Sequence, residues 1–353
     1  IDGSYVSGTS QQLINAGNIQ NKGIEIALNT TPYQNDDWQW DLNFTYTKNT
    51  SKIVELHENV ADYITLDGQV SGGNFRIGSV AKVGESYGLL MTDSKPKVDK
   101  ATGLPILDAT TQYGAMHAMY YKRSGTAEII GSLVPDFLGS VNTTLRYKDW
   151  SLSASFDMRF GGYIASYGDR YGTAYGMTET SLKWRDSEHG GMTYTSIWDG
   201  QTYHDGLIPV GLVEGGTSLP LPDGTTYTVA DGGETYQALY DKGLVDPQHG
   251  SAWHFFSNGW SQGTINDSWY KKLNYIALRE LSLSYRVPKT FCEKFHAKNL
   301  SLSFTGRNLG YLLNSMPNKS NPESVRGTSA SEFRVRSFSG LTASYMFTLN
   351  VGF

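Results

Sequence analysis

His249 and His254 stand five residues apart in a glycine-containing stretch. A zinc-binding helix places its two histidines four apart on one face, so this spacing makes no metal site. The other histidines, His57, His117, His189, His204 and His296, are scattered. Cys292 is the only cysteine; it can close no intrachain disulfide, and a lone cysteine is inert more often than nucleophilic. No Gly-x-Gly-x-x-Gly follows a strand, and there is no Walker-type loop. Acidic pairs such as Asp36-Asp37 fall in turns, where a short carboxylate bonds the nearby backbone. The sequence predicts neither an enzyme nor a bound cofactor.

Residues suited to binding are aromatic. Trp184, Trp198, Tyr203, Trp253 and Trp260 all lie between Gly161 and Ser268, several of them near Asp186, Asp199 or Asp205, with Arg185 beside Trp184. Aromatic faces with polar neighbours stack on sugars and bond their hydroxyls, and they also bind peptides. The competing reading is that they pack this long segment against itself. Tyr163, Tyr167, Tyr171 and Tyr175 fall four apart, as a helical stripe would, but Gly168, Gly172 and Gly176 argue against a stable helix there. The segment holds 13 acids and 4 basic residues, a formal charge of 4 − 13 = −9. It reads as a solvated acidic surface loop or as a ligand-binding lid.

What positions these residues is a set of strands. Mean hydropathy is −0.38 and hydrophobic residues make up 39%. No stretch approaches the roughly 18 consecutive apolar residues of a membrane helix. That excludes helical membrane proteins but not barrels, whose strands give only every second residue to lipid. The 23 Tyr and 8 Trp suit interfacial girdles and carbohydrate-binding surfaces alike. With a net charge of −5 and no Lys/Arg-rich run, nucleic acid is not an expected partner. Ile1-Asp2-Gly3-Ser4 has neither a basic nor an apolar leader region, so the expectation is a removed signal or a start partway through a longer protein.

Alternation with period two is the loudest pattern. Trp38, Trp40, Leu42, Phe44 and Tyr46 alternate with Gln39, Asp41, Asn43, Thr45 and Thr47. Trp150, Leu152, Ala154, Phe156, Met158 and Phe160 alternate with Ser151, Ser153, Ser155, Asp157 and Arg159. From Leu341 to Phe353 the apolar row includes Tyr345 and Phe347, with Met346 the one exception opposite. These are strands, and their 10, 11 and 13 residues exceed the usual soluble length of about 5–6. They match the roughly 9–11 residues of a tilted transmembrane strand. The expected fold is therefore all-β, an antiparallel transmembrane barrel. Trp40, Leu42, Phe44, Leu152, Phe156, Tyr345 and Phe347 should face lipid.

Weaker alternation marks Ile24–Leu28, Val141–Tyr147, Leu281–Val287 and Leu300–Phe304, with further strands expected near Phe75–Leu90 and Tyr120–Ile130. That makes about eight to ten strands. Ile24–Leu28 should form a hairpin with the Trp38 strand. Connections are asymmetric: Lys148-Asp149 is a tight turn, whereas Gly161–Ser268 spans 108 residues. Short turns at one end and long loops at the other are the barrel pattern.

Ordered motifs carry a family resemblance. They are Asn15-Ala16-Gly17 with Asn21-Lys22-Gly23-Ile24-Glu25; Ile130-Gly131 with Pro135-Asp136-Phe137; Tyr147-Lys148 and Gly161-Gly162; Trp269-Tyr270 and Leu278 to Tyr285 ending at Pro288; Gly306-Arg307-Asn308-Leu309; and Asn321-Pro322-Glu323. In this order they resemble the C-terminal half of SusC/RagA-type TonB-dependent outer-membrane transporters, over most of the chain. The family often has an acid where Asn321 stands. Its plug domain, energy-coupling box and first strands have no counterpart here. The resemblance implies about 8–10 C-terminal strands of a barrel of about 22 in the Gram-negative outer membrane. It also implies import of a glycan or peptide nutrient, a SusD-like lipoprotein lid and the TonB complex as partners, and Phe353 as a terminal assembly signal. On that reading Trp184, Arg185, Asp186, Trp198, Asp199, Tyr203, Trp253 and Trp260 are candidate ligand or lid contacts on an external loop over 161–268. A passive porin and a soluble carbohydrate-binding β protein are the alternatives.

Overall fold

The computed structural model describes residues 17–57, 62–72, 76–109, 119–258, 269–324, 334–335 and 340–353. The chain opens with β1 (Gly17–Gln34) and β2 (Trp38–Leu56), followed by β3 (Tyr63–Gly68), β4 (Ile77–Lys82), β5 (Leu89–Thr92), β6 (Ile106–Asp108), β7 (Tyr120–Tyr121) and β8 (Glu128–Ser132). Next come β9 (Phe137–Tyr147), β10 (Trp150–Ser166) and helix α1 (Tyr167–Ala174). Then follow β11 (Met192–Thr195), β12 (Thr202–Leu207), β13 (Leu212–Val213), β14 (Ser218–Pro220), β15 (Thr226–Thr228), β16 (Glu234–Thr235), α2 (Tyr236–Asp241), β17 (Gln248–His249) and α3 (Gly250–Asn258). Last are β18 (Tyr270–Arg286), α4 (Lys289–Cys292), β19 (Asn299–Asn314), β20 (Arg334–Val335) and β21 (Ser344–Gly352).

Seven strands form one antiparallel wall in the order β1-β2-β9-β10-β18-β19-β21, and the two-residue β20 pairs with β10 as the eighth. Register carries single rows of side chains across it. Trp40, Leu145, Leu152, Leu283, Phe304 and Phe347 form one such row. One step toward the tight turns, Trp38, Tyr147, Trp150 and Tyr285 form an aromatic row, with ring centroids 4.3 Å apart for Trp38–Tyr147 and 4.5 Å for Trp150–Tyr285. At the far end of the same face Tyr46, Phe137 and Phe160 stack, 5.3 and 4.9 Å apart. This face is solvent-exposed although apolar: Leu152 is 45% exposed, Tyr345 67% and Phe347 68%.

Polar pairs tie the strands together on the opposite face. Asn29 bonds Asn43, Thr45 bonds Ser140 (2.7 Å), Ser155 donates to Asn142 (2.6 Å), and Thr144 bonds Ser153 (3.0 Å). Ser282 bonds Thr305 (2.8 Å) and Ser284 donates to Ser303 (2.9 Å). Each such cross-strand pair adds a few tenths of a kcal/mol to about 1 kcal/mol.

Two of the three connections at one end are tight, and the third, between β18 and β19, carries α4. The Asn35 Oδ1 accepts from the backbone of Asp37 and Trp38 (3.0 and 2.7 Å), closing the expected β1–β2 hairpin. Lys148 adopts φ +51° in the two-residue turn before Trp150. At the other end the long connections leave the wall. β10 departs through Gly161 (φ +85°) and Gly162 (φ +78°). A Cβ there would lie 2.4 Å from Asp136 Cγ and 2.5 Å from the Leu133 carbonyl oxygen, so only glycine fits this bulge.

Three sequence expectations need correction. Residues 77–92 and 128–132 are strands, but they build a separate sheet, β3-β4-β5-β8, around Val70, Val80, Leu89 and Met91 rather than extending the wall. The central β4 and β5 are short and buried on both faces, as strands packed within a fold are, while the edge strands β3 and β8 are partly exposed. Part of the tyrosine stripe does form a helix: Tyr167 and Tyr171 lie in α1, with Tyr163 in β10 and Tyr175 at the helix end; Ser166 caps α1 by accepting from the Asp169 amide (3.1 Å), and tertiary burial of Tyr167 outweighs the glycines. In the last alternating run, Leu341–Ala343 precede the strand proper.

Candidate ligand-binding site

The connections between β2 and β9 and between β10 and β18 fold together into a cap. The parallel pair Ile106↔Leu212 and Leu107↔Val213 joins them. Beneath it lies a shared core of Leu107, Met119, Val213, Leu219, Val229, Tyr236 and Leu239. Burial of these side chains at about 1.5–3 kcal/mol each explains why the segment after Gly161 is folded rather than a solvated loop.

On this core sits a pocket of about 210 Å³. Its lining is mixed: Leu219, Pro220, Val245 and Pro247 are apolar, while Tyr194, Trp198, Asp199, Tyr203, Asp246 and His249 supply rings and polar groups. The β11–β12 hairpin brings Tyr194 and Tyr203 opposite each other, rings 5.6 Å apart and 27° from parallel. The His249 ring meets Tyr203 edge-on at 4.8 Å, and its Nδ1 lies 3.1 Å from both Asp205 oxygens. Asp246 accepts from the Ser196 hydroxyl (2.6 Å) and the Ile197 amide (3.0 Å). The Tyr203 hydroxyl donates to Asp199 (2.8 Å). The Gln201 amide and that hydroxyl hold the Asp199 carboxyl below its usual range. The Tyr203 phenol is pushed up, chiefly by its bond to Asp199. Burial raises the Tyr194 phenol, and the charges of Asp205, Asp246 and Asp199 add to the shift. Among the described residues no lysine or arginine forms an ion pair with these three carboxylates.

The sequence candidates divide between sites. Trp198, Asp199 and Tyr203 share the pocket above. Trp184 and Trp253 line a second cavity of about 290 Å³ with Trp269, His254 and Asn318. Trp184 stacks on His254 at 5.6 Å, and Trp253 meets Tyr121 edge-on at 5.2 Å. Arg185 borders a third opening beside Tyr175 and Phe255. Asp186 is a structural cap, accepting from the His189 amide (2.9 Å). Trp260 lies outside the described residues. Sequence reasoning missed Tyr194, Ser196, Asp246 and His249; Ser196 and Asp246 meet across 50 residues, and no local spacing announces such a contact.

A polar cluster on the wall was also missed. A bulge at Arg279 sets it and Glu280 consecutively on the polar face. Opposite, a second bulge spans Asn308 (φ +52°) and Leu309. Arg279 donates to Asp157 (2.7 Å) and, through both terminal nitrogens, to Glu323 (2.8 and 2.5 Å). The Tyr311 hydroxyl donates to Glu323 (2.8 Å) and Asn321 (2.7 Å). The loop after β19 is thereby folded back against the wall. Asn318 and Ser320 in it also donate to the buried Asp169 of α1, at 2.8 and 3.0 Å.

Comparison with known proteins fits this two-faced wall. No family model matches the chain. TonB-dependent receptor P3 of Formosa agariphila is 28% identical over 172 residues, 46% of this chain and 17% of that protein. TonB-dependent receptor P26 of the same organism is 30% identical over 45% of the chain and 16% of its own length. TonB-dependent receptor SusC of Bacteroides thetaiotaomicron is 24% identical over 44% and 15%. The matched stretch is thus less than a fifth of each of these curated relatives. Among solved structures, the RagAB peptide transporter superposes with a TM-score of 0.54 at 17% identity, over 99% of this chain and 31% of that one. The same importer in its open-open state gives 0.54 at 16%. These relatives are receptors and transporters, not enzymes. In sequence the chain is similar to a portion of TonB-dependent receptors, SusC among them, and in fold to a portion of the RagAB peptide transporter, spanning under a third of each.

Proposed function

We propose that this chain forms part of the barrel wall and the extracellular cap of an importer that takes up a glycan or peptide nutrient. A SusD-like lipoprotein serves as its lid, and the TonB complex supplies the energy. The observation that carries this reading is the wall's two faces. Trp40, Leu42, Phe44, Leu152, Phe156, Tyr345 and Phe347 lie on the exposed apolar face, which suits lipid. Opposite runs the hydrogen-bonded polar face, which suits a water-filled lumen. The cap stands at the end away from the tight turns, where long loops face outward in such barrels, and its cavities are open to a nutrient or a lid. SusC and RagAB supply the precedent for import and a partner. The test is deletion of the gene, in a strain growing on defined peptide or glycan mixtures, with uptake measured before and after complementation. Purification of the tagged full-length protein should co-isolate a surface lipoprotein. Unchanged uptake of every nutrient, with no co-purifying lipoprotein, refutes the reading.

A further inference from the structure

We propose that the pocket between Tyr194, Trp198 and Tyr203 is a subsite for the basic side chain, lysine or arginine, of a peptide. The proposal rests on the import reading and deepens it. Three observations converge. First, the pocket's lining is amphipathic: Leu219, Pro220, Val245 and Pro247 stand beside aromatic rings and the carboxylates of Asp199 and Asp246. Lysine and arginine are built the same way, with an aliphatic stem and a charged head. A neutral sugar presents hydroxyls around its whole edge and would set some of them against these apolar side chains without partners. Second, the rim offers ring faces held in place: Tyr203 is fixed by Asp199 and flanked by His249, and Tyr194 lies almost parallel to it. Such faces attract cations. Third, Asp199 and Asp246 line the pocket and Asp205 lies against its His249, and none of the three is in an ion pair with a lysine or arginine among the described residues. Their hydrogen bonds come from neutral donors and from His249, so the pocket keeps a negative field. That field excludes phosphorylated, sulfated or carboxylate ligands as well as favouring cations.

The geometry also orders the ligand's parts. The stem enters over Pro220 and Val245, and the ammonium or guanidinium stops at the Tyr203 face within reach of Asp199. The peptide backbone remains outside the pocket, so sequence around the basic residue is read weakly. Specificity of this kind suits a nutrient importer that accepts mixed digests.

The experiment uses the full-length transporter in detergent and fluorescent peptides identical except for a central lysine, arginine, norleucine or glutamate. Lysine and arginine peptides should bind about tenfold more tightly than the norleucine peptide, and the preference should shrink as salt rises. Asp199→Asn and Tyr203→Leu should each collapse the ratio of lysine-peptide to norleucine-peptide binding toward one. Tyr203→Phe keeps the ring, drops the bond to Asp199 and should fall between. Heat-modifiable migration on gels reports that each variant is folded. Equal binding of lysine and norleucine peptides overturns the proposal. So does unchanged discrimination in folded Asp199→Asn, or displacement of the lysine peptide by a neutral oligosaccharide at comparable concentration. Import of peptides by cells without any preference for basic side chains faults this site alone; a pocket that prefers lysine in a protein that imports nothing faults the transport reading instead.

Discussion

A single arginine can locate the bilayer on this wall. Phe156 lies six residues from Trp150 and four from Phe160, the aromatic residues that bound the regular stretch of β10 before its Gly161-Gly162 bulge. With a rise of about 3.4 Å per residue and a tilt of about 40°, ten residues span about 26 Å along the membrane normal. Phe156 then sits within about 3 Å of the midplane by the same geometry. Phe156→Arg should cost about 2–4 kcal/mol. Ser155→Arg, one residue away, turns inward. It gives up a 2.6 Å hydrogen bond to Asn142, worth about 1 kcal/mol, and places its charge opposite Glu280, the register partner. Its net cost should be near zero. Trp150→Arg at the rim should cost about 0–1 kcal/mol. The assay is urea-dependent folding of full-length protein into lipid vesicles, comparing transition free energies across the three variants. A penalty at Ser155 equal to that at Phe156, or a penalty at Trp150 as large as that at Phe156, refutes the assignment of faces.

Other consequences are open to measurement. Leu239 is fully buried in the cap core, so Leu239→Ala should loosen the cap by about 2–5 kcal/mol; limited proteolysis should cut between 161 and 258 while the wall stays intact. Asp169→Ala removes the acceptor of Asn318 and Ser320, and hydrogen exchange at residues 315–324 should speed up with no change in β18. Burial holds the His254 imidazole below its usual pKa of 6.5. The unfolded cap therefore binds more protons, and stability present above about pH 6.5 is lost as pH falls through that value; protection factors at α3, taken relative to the intrinsic exchange rate at each pH, should be lower at pH 5 than at pH 7.5 in the wild type, and much less so in His254→Gln. Trp253→Ala, whose ring packs edge-on against Tyr121, should lower cap stability; an effect on binding alone would contradict its packed position.

How much of this was legible depends on whether the cause was local. Alternation from Trp38 and from Trp150 is a property of neighbouring residues, so the wall and its faces could be read directly. The turns at Asn35–Asp37 and Lys148-Asp149 were legible for the same reason. The motifs of the family resemblance also acquire physical reasons. Gly161-Gly162 is the bulge where a Cβ cannot fit, and Leu278-Arg279-Glu280 faces Gly306-Arg307-Asn308-Leu309 across paired bulges. The cap was not legible. Its core joins residues near Leu107 to residues near Val213, and the pocket joins Ser196 to Asp246. Such contacts depend on the closed tertiary arrangement and leave no period in the sequence. For the same reason Trp184 and Trp198, both aromatic beside acids, read alike in sequence but occupy different cavities.

The joint between Leu107 and Val213 bears on how such proteins can exchange parts. Half of the cap is encoded before β9 and half after β10, so the two wall strands between them sit inside the cap's coding span. A recombination crossover in β9 would pair one parent's Ile106–Asp108 strand with the other's Leu212–Val213 strand and misfit the shared core. Crossovers within β1 or beyond Ser324 would carry the whole cap, with the loop that bonds Asp169, across as one cassette. Natural mosaics, and grafts between relatives, should therefore show breakpoints outside residues 57–324 and few within them.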